Sequence, residues 1–261
     1  MNLATINKKL SDATAALAKA EMDLKLEIAG AAADAAGIVD PTPTSDYVNK
    51  DYMNEDFEYF IEKFGPPAAQ QTASAENISD YQGKLPNALL QIWKEVGWAS
   101  FNSGLFWIVN PSEYSSTISE WLSEIKDVDT REYHAIARTA FGKLFLWGEK
   151  TGQTITINPL FSQVTITNHD PDIKTEADLI ASIFFSSLDI DYLDIEDVND
   201  KPLFKRAQKK LGTLSANEMY GFEPALCLGG LPKIENMRKL DTVAHLALLA
   251  QFGEIEINKF K

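Results

Sequence analysis

The sequence predicts an α+β fold, in which a central, mostly antiparallel sheet is flanked by helices and an extra long helix precedes it. Helical periodicities dominate the chain before residue 130 and after residue 170. Between them, four short runs rich in aromatic and β-branched residues follow one another over residues 133–167. The gaps between these runs are too short for the crossover helices of a parallel sheet, so an antiparallel meander is expected.

The N-terminal segment, residues 1–37, has the most regular helical pattern. Apolar side chains recur at alternating spacings of three and four, as in a coiled-coil seam with Ala at alternate positions: Leu3, Ile6, Leu10, Ala13, Leu17, Ala20 and Leu24. Such a narrow seam must pack on another helix, on the rest of this chain or on a partner, and self-association is one of these options. A linker is predicted at residues 38–53, because Pro41 and Pro43 favour extended backbone.

A helical and acidic region is predicted over residues 54–130. Apolar residues at helical spacing predict three helices, at residues 54–64, 86–97 and 114–125. A short apolar run at residues 105–109 predicts a strand, and the poorly patterned polar stretch 66–83 predicts a loop.

The remaining region, residues 131–261, is expected to form one compact body with residues 54–130. It carries the four meander strands, at residues 133–139, 143–147, 154–158 and 163–167. Helices are predicted after them, at residues 175–188, 201–211 and 241–252. The last segment, residues 254–260, predicts a strand that closes one edge of the sheet.

The charge of the chain narrows the classes of partner. The formal net charge is −14, and residues 51–130 alone hold four basic and thirteen acidic side chains, a net of −9. Such a surface repels the phosphate backbone, so direct binding of nucleic acid is not expected. It attracts a basic protein and speeds the encounter with it.

The cysteine content and the hydropathy indicate a cytoplasmic protein without a membrane segment. The single Cys227 can form no intramolecular disulfide, which fits a reducing compartment. No stretch reaches the ~20 uninterrupted apolar residues that span a bilayer.

Two acidic clusters are the candidate partner-binding sites. The first comprises Glu113, Glu120, Glu124, Asp127 and Asp129. The second comprises Asp189, Asp191, Asp194, Glu196 and Asp197. A calcium loop is excluded for the second cluster, since Leu193 stands where a ligand is needed and Asp194 where a Gly is needed. The alternative for either cluster is a solvated acidic surface, and the acids before the basic helix 201–211 also suit its dipole.

No catalytic, cofactor or metal site is predicted. The three His residues lack a second His or Cys at metal-ligand spacing, and the glycine spacings match no phosphate loop. An enzyme that uses Cys227 and His245 is the alternative, but Cys227 lies between two leucines and His245 lies on an apolar helix.

Several stretches of the sequence are more specific than the pattern of a helix or a strand would require. These are FIEKFGPP at 60–67, LPNALLQIWKEVG at 85–97, FGKLFLWGE at 141–149, MYGFEPALCLGG at 219–230 and VAHLALL at 243–249. Together they resemble the GAD-like immunity proteins of type VI secretion effector–immunity pairs, over about residues 55–255.

The resemblance implies a non-enzymatic protein that binds a cognate secreted toxin and neutralises it by stoichiometric occlusion. Nuclease toxins are commonly basic because their substrate is anionic, so an acidic inhibitor suits a basic nuclease. A second resemblance, of Leu85–Tyr114 to the SMI1/KNR4-like proteins, implies an interaction or regulatory module instead. Within residues 1–46, the string AGIVDPTPTSD at 36–46 resembles the N-terminal leader of polymorphic toxins.

Overall fold

The computed structural model describes residues 50–167, 173–252 and 254–260, and within these ranges the fold is α+β, as predicted. The helices are α1 (Lys50–Phe64), α2 (Ala75–Asp80), α3 (Asn87–Val96), α4 (Ser115–Leu122), α5 (Ile173–Ser187), α6 (Ile190–Leu193), α7 (Phe204–Leu211) and α8 (Thr242–Ala250). The strands are β1 (Ala68–Gln71), β2 (Trp98–Phe101), β3 (Phe106–Ile108), β4 (Tyr133–Thr139), β5 (Leu144–Gly148), β6 (Gly152–Asn158), β7 (Gln163–Thr167), β8 (Glu218–Phe222), β9 (Met237–Asp241) and β10 (Glu256–Phe260).

Eight of these strands form one sheet, in the order β1-β2-β3-β4-β5-β6-β7-β10. Strands β1 to β7 follow their sequence order and pair antiparallel, which confirms the predicted meander of β4 to β7. The sheet crosses from the first predicted region into the second, because β3 pairs with β4. A separate antiparallel hairpin is formed by β8 and β9.

The predicted closing strand is also confirmed, at the edge of the large sheet. Strand β10 pairs with β7 in parallel, from Glu256 opposite Gln163 to Phe260 opposite Thr167. Three helices and the β8–β9 hairpin lie between the end of α5 and β10 in the sequence, so the chain returns to the sheet edge after building its second half.

Helices α1 and α5 pack together against the sheet through an aromatic cluster. Phe60 of α1 is fully buried, and its ring centroid lies 4.9 Å from that of Phe101, 5.5 Å from that of Phe106 and 5.4 Å from that of Phe185. Edge-to-face contacts of this kind add to the free energy gained from apolar burial. The cluster joins residues from both halves of the chain in one core.

The end of α3 is fixed by a close approach of two backbone segments. Gly97 has φ +70°, and a Cβ atom there would lie 2.2 Å from the carbonyl oxygen of Gln71. Only glycine suits both the conformation and the space. Helix α3 therefore ends next to β1 and the chain enters β2 directly.

The β8–β9 hairpin is tied to the large sheet by a buried arginine. Arg138 of β4 is fully buried and donates hydrogen bonds to the carbonyl oxygens of Thr139 (3.2 Å), Ala216 (2.8 Å) and Glu218 (3.1 Å). The backbone N–H of Tyr220 in β8 also donates to the carbonyl oxygen of Ala140, at 2.8 Å. These bonds place the hairpin beside the start of the meander.

Several predicted boundaries are wrong. The stretch 66–83 is not a loop throughout, since it contains β1 and α2, and strands β2, β8 and β9 were not predicted. Helix α1 already begins at Lys50, within the predicted linker 38–53. Helix α7 begins at Phe204 rather than at residue 201, because Pro202 forms a β-bridge with Glu196.

The long N-terminal helix at residues 1–37, most of the linker and His169 lie outside the described residues. None of the helices in the described ranges combines the length and the apolar character needed to cross a bilayer.

Candidate functional site

The first acidic cluster lies on and around α4. This helix buries Thr117, Ile118, Trp121 and Leu122. The indole N–H of Trp121 donates to the carbonyl oxygen of Leu246 in α8, at 3.0 Å. With this face buried, the carboxylates of the cluster are exposed to solvent: Glu113, Glu120, Glu124, Asp127 and Asp129. We refer to these five residues as the α4 acidic surface.

Asp129 differs from the other four because its charge has a partner in the chain. Its carboxylate accepts two hydrogen bonds from the Arg131 guanidinium, at 2.9 and 2.7 Å, and one from the Arg131 backbone N–H. These bonds hold the pKa of Asp129 at about 2, below the ordinary 3.8. The free negative charge of the surface therefore rests on the other four residues.

The second acidic cluster divides into exposed and internal carboxylates. Asp189, Asp191 and Glu196 are exposed. Asp189 accepts a hydrogen bond from the backbone N–H of Asp191 at the start of α6 and forms a 3.4 Å ion pair with Lys63 of α1. Asp191 and Glu196 are thus the freest of the five for contact with a partner.

The carboxylates of Asp194 and Asp197 are bonded to other groups of the chain. Asp194 accepts backbone N–H bonds from Ile195 (2.6 Å), Leu203 (3.3 Å) and Phe204 (2.9 Å), and so holds the start of α7. Burial raises the pKa of Asp194 above its ordinary value, and the three N–H bonds oppose this. A partner cannot engage its bonded oxygen without breaking these contacts.

Asp197 is buried and forms a 2.6 Å ion pair with Arg206 of α7. Its other oxygen accepts backbone N–H bonds from Asn199 and Lys201. The hydrogen bond from Arg206 is the main cause that lowers the pKa of Asp197. Asp197 therefore holds residues 194–201, which we call the acidic loop, against α7.

A further surface was not predicted as a partner-binding site, although its sequence lies partly in the string at 219–230. It is the connection between β8 and β9, residues Glu223–Asn236, which we call the leucine loop. Two of its side chains are among the few large apolar side chains exposed in the described part of the chain, Leu228 at 55% and Leu231 at 49%. The signal in the sequence that could have identified it is the pair Leu228 and Leu231 on either side of Gly229-Gly230 and before Pro232, since a turn of this composition lies at the surface.

The leucine loop is held by its own backbone hydrogen bonds. Its two ends are joined by the bond from the Glu223 N–H to the Asn236 carbonyl oxygen, at 2.8 Å. The N–H groups of Leu228 and Gly230 both donate to the carbonyl oxygen of Ala225, at 3.0 Å. A Cβ atom on Gly230 would lie 2.0 Å from the carbonyl oxygen of Pro224, so this tight turn requires glycine.

Three neighbours surround the leucine loop. The N–H of Val198, in the acidic loop, donates to the carbonyl oxygen of Pro232, at 3.2 Å. Lys210 of α7 donates from Nζ to the carbonyl oxygen of Ile234, at 2.8 Å. The turn Pro159–Phe161 packs beside both the Leu226–Leu228 turn and α8. The leucine loop thus contacts the acidic loop, the basic helix α7 and an apolar turn.

Helix α8 adds a further exposed apolar side chain. Its apolar residues lie all round the helix, with Leu246 and Leu249 buried and Leu248 45% exposed. A surface helix of this composition is unusual unless another surface covers it.

The structure gives no support to a Cys227–His245 pair. Cys227 is half-buried and packs against the core, and the Nε2 atom of His245 is buried without a hydrogen-bond partner. Burial lowers the pKa of His245, and Glu223 opposes this. In the same described ranges, no group of three or more His, Cys, Asp or Glu side chains could hold a metal ion.

The tryptophans are core residues. Trp93, Trp98, Trp107, Trp121 and Trp147 are all buried. They are therefore unavailable as interface anchors, and the exposed leucines are the better candidates for that role.

Two family models match this chain. Residues 55–161 match the model of the GAD-like domain, and residues 181–253 match that of the T6SS immunity protein Tdi1, C-terminal. The crystal structure of Atu4351 from Agrobacterium tumefaciens is similar, with a TM-score of 0.72 and 27% sequence identity over 78% of this chain and 92% of that chain. No match was found among curated proteins. The resemblance to GAD-like immunity proteins of type VI secretion is thus confirmed, and the chain carries a GAD-like domain followed by a region of the Tdi1 C-terminal type.

Proposed function

We propose that this protein is an immunity protein of a type VI secretion system, which binds a cognate secreted toxin in the cytoplasm and neutralises it. The observation that carries the proposal is the match of residues 181–253 to the C-terminal region of the T6SS immunity protein Tdi1. The GAD-like match over residues 55–161 and the similarity to Atu4351 support it over most of the described chain.

The proposed mechanism is stoichiometric occlusion of a basic nuclease. A standard protein interface covers about 800 Å² on each partner, enough to close the mouth of an active site. The formal charge of −14 and the exposed carboxylates of the α4 acidic surface favour a basic partner and speed the encounter with it. The immunity protein performs no reaction of its own in this mechanism.

The proposal is tested by producing the full chain together with the cognate toxin. We expect the cells to survive and the two proteins to purify together at a one-to-one ratio, with the toxin inactive in the complex. A toxin from an unrelated effector–immunity pair is the control, and against it the protein gives no protection. Cells that die although both proteins are present would contradict the proposal, as would protection without a complex.

A shortened chain that lacks residues 1–46 locates the inhibitory part. Both family matches begin after residue 54, so we expect this variant to protect as well as the full chain. Loss of protection by a shortened chain that still folds, as judged by its thermal unfolding, would place part of the inhibition in the N-terminal segment.

A further inference from the structure

We infer that the leucine loop is the anchor of the toxin interface, with Leu228 and Leu231 entering an apolar pocket of the toxin. The rim of that pocket carries basic side chains that face Glu196 and Asp200, and acidic side chains that face Lys209 and Lys233. The inference rests on the proposed function and adds to it the contact surface and the chemistry of the partner.

The first argument is the exposure of the two leucines. The large exposed apolar side chains of the described region are Tyr59, Leu228, Leu231, Leu248 and Ile257. A single exposed apolar side chain is ordinary on a protein surface. Leu228 and Leu231, however, lie three residues apart on one loop, and the Pro159–Phe161 turn contacts both that loop and α8, the helix that carries Leu248. Two large apolar side chains exposed on one loop indicate a surface that another molecule covers.

The second argument is that the loop is already in a fixed conformation. The bonds at Glu223, Leu228 and Gly230 are supplemented by the Asn236 side chain, which donates to the carbonyl oxygen of Leu231 at 3.0 Å. Ordering a flexible loop on binding costs free energy, and a loop that is already ordered avoids that cost. The leucine loop can therefore present its two side chains as rigid anchors.

The third argument is the charge on the elements that contact the leucine loop. The Val198–Pro232 bond brings the acidic loop to one flank, where Glu196 and Asp200 are exposed. The Lys210–Ile234 bond brings α7, with the exposed Lys209, to another flank of the loop. Lys233, on the loop itself, is also exposed. An apolar centre with a charged rim is the usual anatomy of a specific protein interface. Because the rim carries both signs, it also sets the orientation in which a complementary partner binds.

The occupant is assigned to the toxin because of where the loop lies in the chain. Residues 223–236 and the acidic loop both fall within the segment 181–253 that matches the Tdi1 C-terminal region. The α4 acidic surface lies outside it, within the GAD-like match. In this arrangement the GAD-like region attracts the toxin at long range, and the Tdi1-type region makes the close contact.

The test measures the affinity of purified full-length variants for the cognate toxin by calorimetry. We expect the double variant Leu228→Asp/Leu231→Asp to raise Kd by about 100-fold, since it removes two apolar side chains from the contact and places two charges against an apolar pocket. The matched control is Tyr59→Asp, which changes a side chain of similar exposure, 52%, on α1. This control should leave Kd within about threefold of the original, because charge on a surface away from the contact has little effect on affinity.

Two further variants separate anchoring from a general effect of added charge. Gly230→Ala keeps both leucines but forces the turn open, and it should also weaken binding. Glu196→Lys/Asp200→Lys and Lys209→Glu/Lys233→Glu reverse the two parts of the rim, and each should weaken binding on its own. Thermal unfolding of every variant within a few degrees of the original shows that the fold is retained.

The outcomes distinguish failure of the inference from failure of the proposed function. If the unchanged protein does not bind the toxin, the proposed function is wrong. If it binds and the Leu228→Asp/Leu231→Asp variant binds equally well, the anchor is wrong while the function stands. A dimer that this variant converts to a monomer, with toxin affinity unchanged, would assign the surface to a second copy of the chain and overturn the inference.

Discussion

Arg138 places a full positive charge in the interior at the junction of the two halves of the chain. A guanidinium is less strongly hydrated than an ammonium and has five N–H donors, so it tolerates burial when those donors are used. Here it bonds to three backbone carbonyl oxygens, and its guanidinium carbon lies 4.7 Å from the centre of the Trp107 ring. Burial lowers the pKa of Arg138, and the neighbouring Tyr114 opposes this.

Replacing Arg138 with Lys tests whether the fork of donors is what stabilises this junction. A lysine keeps the charge but replaces five N–H donors, spread over three nitrogens, with three donors on a single nitrogen. We expect the free energy of unfolding to fall by about 2–4 kcal/mol, because buried polar groups lose their partners. Urea denaturation followed by tryptophan fluorescence measures the change.

Arg131→Lys is the matched control for that substitution. Arg131 also makes two side-chain bonds, to Asp129, but its side chain is 87% exposed. Water replaces the lost bonds there, so the unfolding midpoint should not change. If the two variants lose equal stability, burial is not what makes Arg138 important.

The carboxylates of the second acidic cluster show that the exposure of a single residue cannot always be predicted from the sequence. Asp191 and Asp197 look alike in the sequence, and both were predicted as contact residues. One is exposed and the other is buried against Arg206, nine residues further on. The difference depends on a loop that folds back onto α7, which no local spacing encodes.

Among the elements, predictability follows the strength of the apolar pattern. Helix α3 was predicted because Leu89, Leu90 and Trp93 form a stripe at helical spacing, and all are buried. Strands β4 to β7 were predicted because their sequences are rich in β-branched and aromatic residues and are separated by turns. The residue types within each of these elements are therefore enough to predict it.

The missed strands lack that information. Strand β1, of sequence AAQQ, is exposed at every position, and β2, of sequence WASF, is buried at every position, so neither alternates. Strands β8 and β9 are separated by the long leucine loop, and Gly221 interrupts the first of them. Pairing with distant segments, rather than local preference, makes these residues strands.

The Gly97 junction between α3 and β2 gives a prediction for an element boundary. Gly97→Ala would place a methyl group 2.2 Å from the carbonyl oxygen of Gln71, in addition to straining a φ of +70°. Gly212→Ala, at the end of α7, has similar strain at φ +83° but open space around it. We expect Gly212→Ala to cost about 1–3 kcal/mol of folding free energy and Gly97→Ala clearly more. Equal losses in thermal unfolding would show that β1 moves aside freely.

At the scale of the whole molecule, the negative charge should control the rate of binding more than the strength. Screening at high salt removes the attraction between exposed charges but leaves the apolar contacts intact. Raising the salt from about 50 to about 500 mM should therefore slow association with the toxin by about tenfold while dissociation changes little. Stopped-flow or surface-based kinetics can measure both rates.

The control for the salt experiment removes charge from the α4 acidic surface alone. Glu113→Gln/Glu120→Gln/Glu124→Gln changes the formal charge from −14 by three, to −11. This variant should associate more slowly at low salt and show a weaker salt dependence. An association rate that ignores both salt and these substitutions would mean that the negative surface serves solubility alone.

The parallel pairing of β10 with β7 sets an order of events during biosynthesis. Gln163 and Glu256, bonded neighbours in the finished sheet, are 93 residues apart in the chain. At about 5–20 residues per second, the ribosome needs roughly 5–20 seconds to add the missing partner. Throughout that interval the nascent polypeptide exposes an unpaired strand edge, which is a template for aggregation. Ribosome pausing between these two strands should thus lower the yield of usable protein more than pausing before β7.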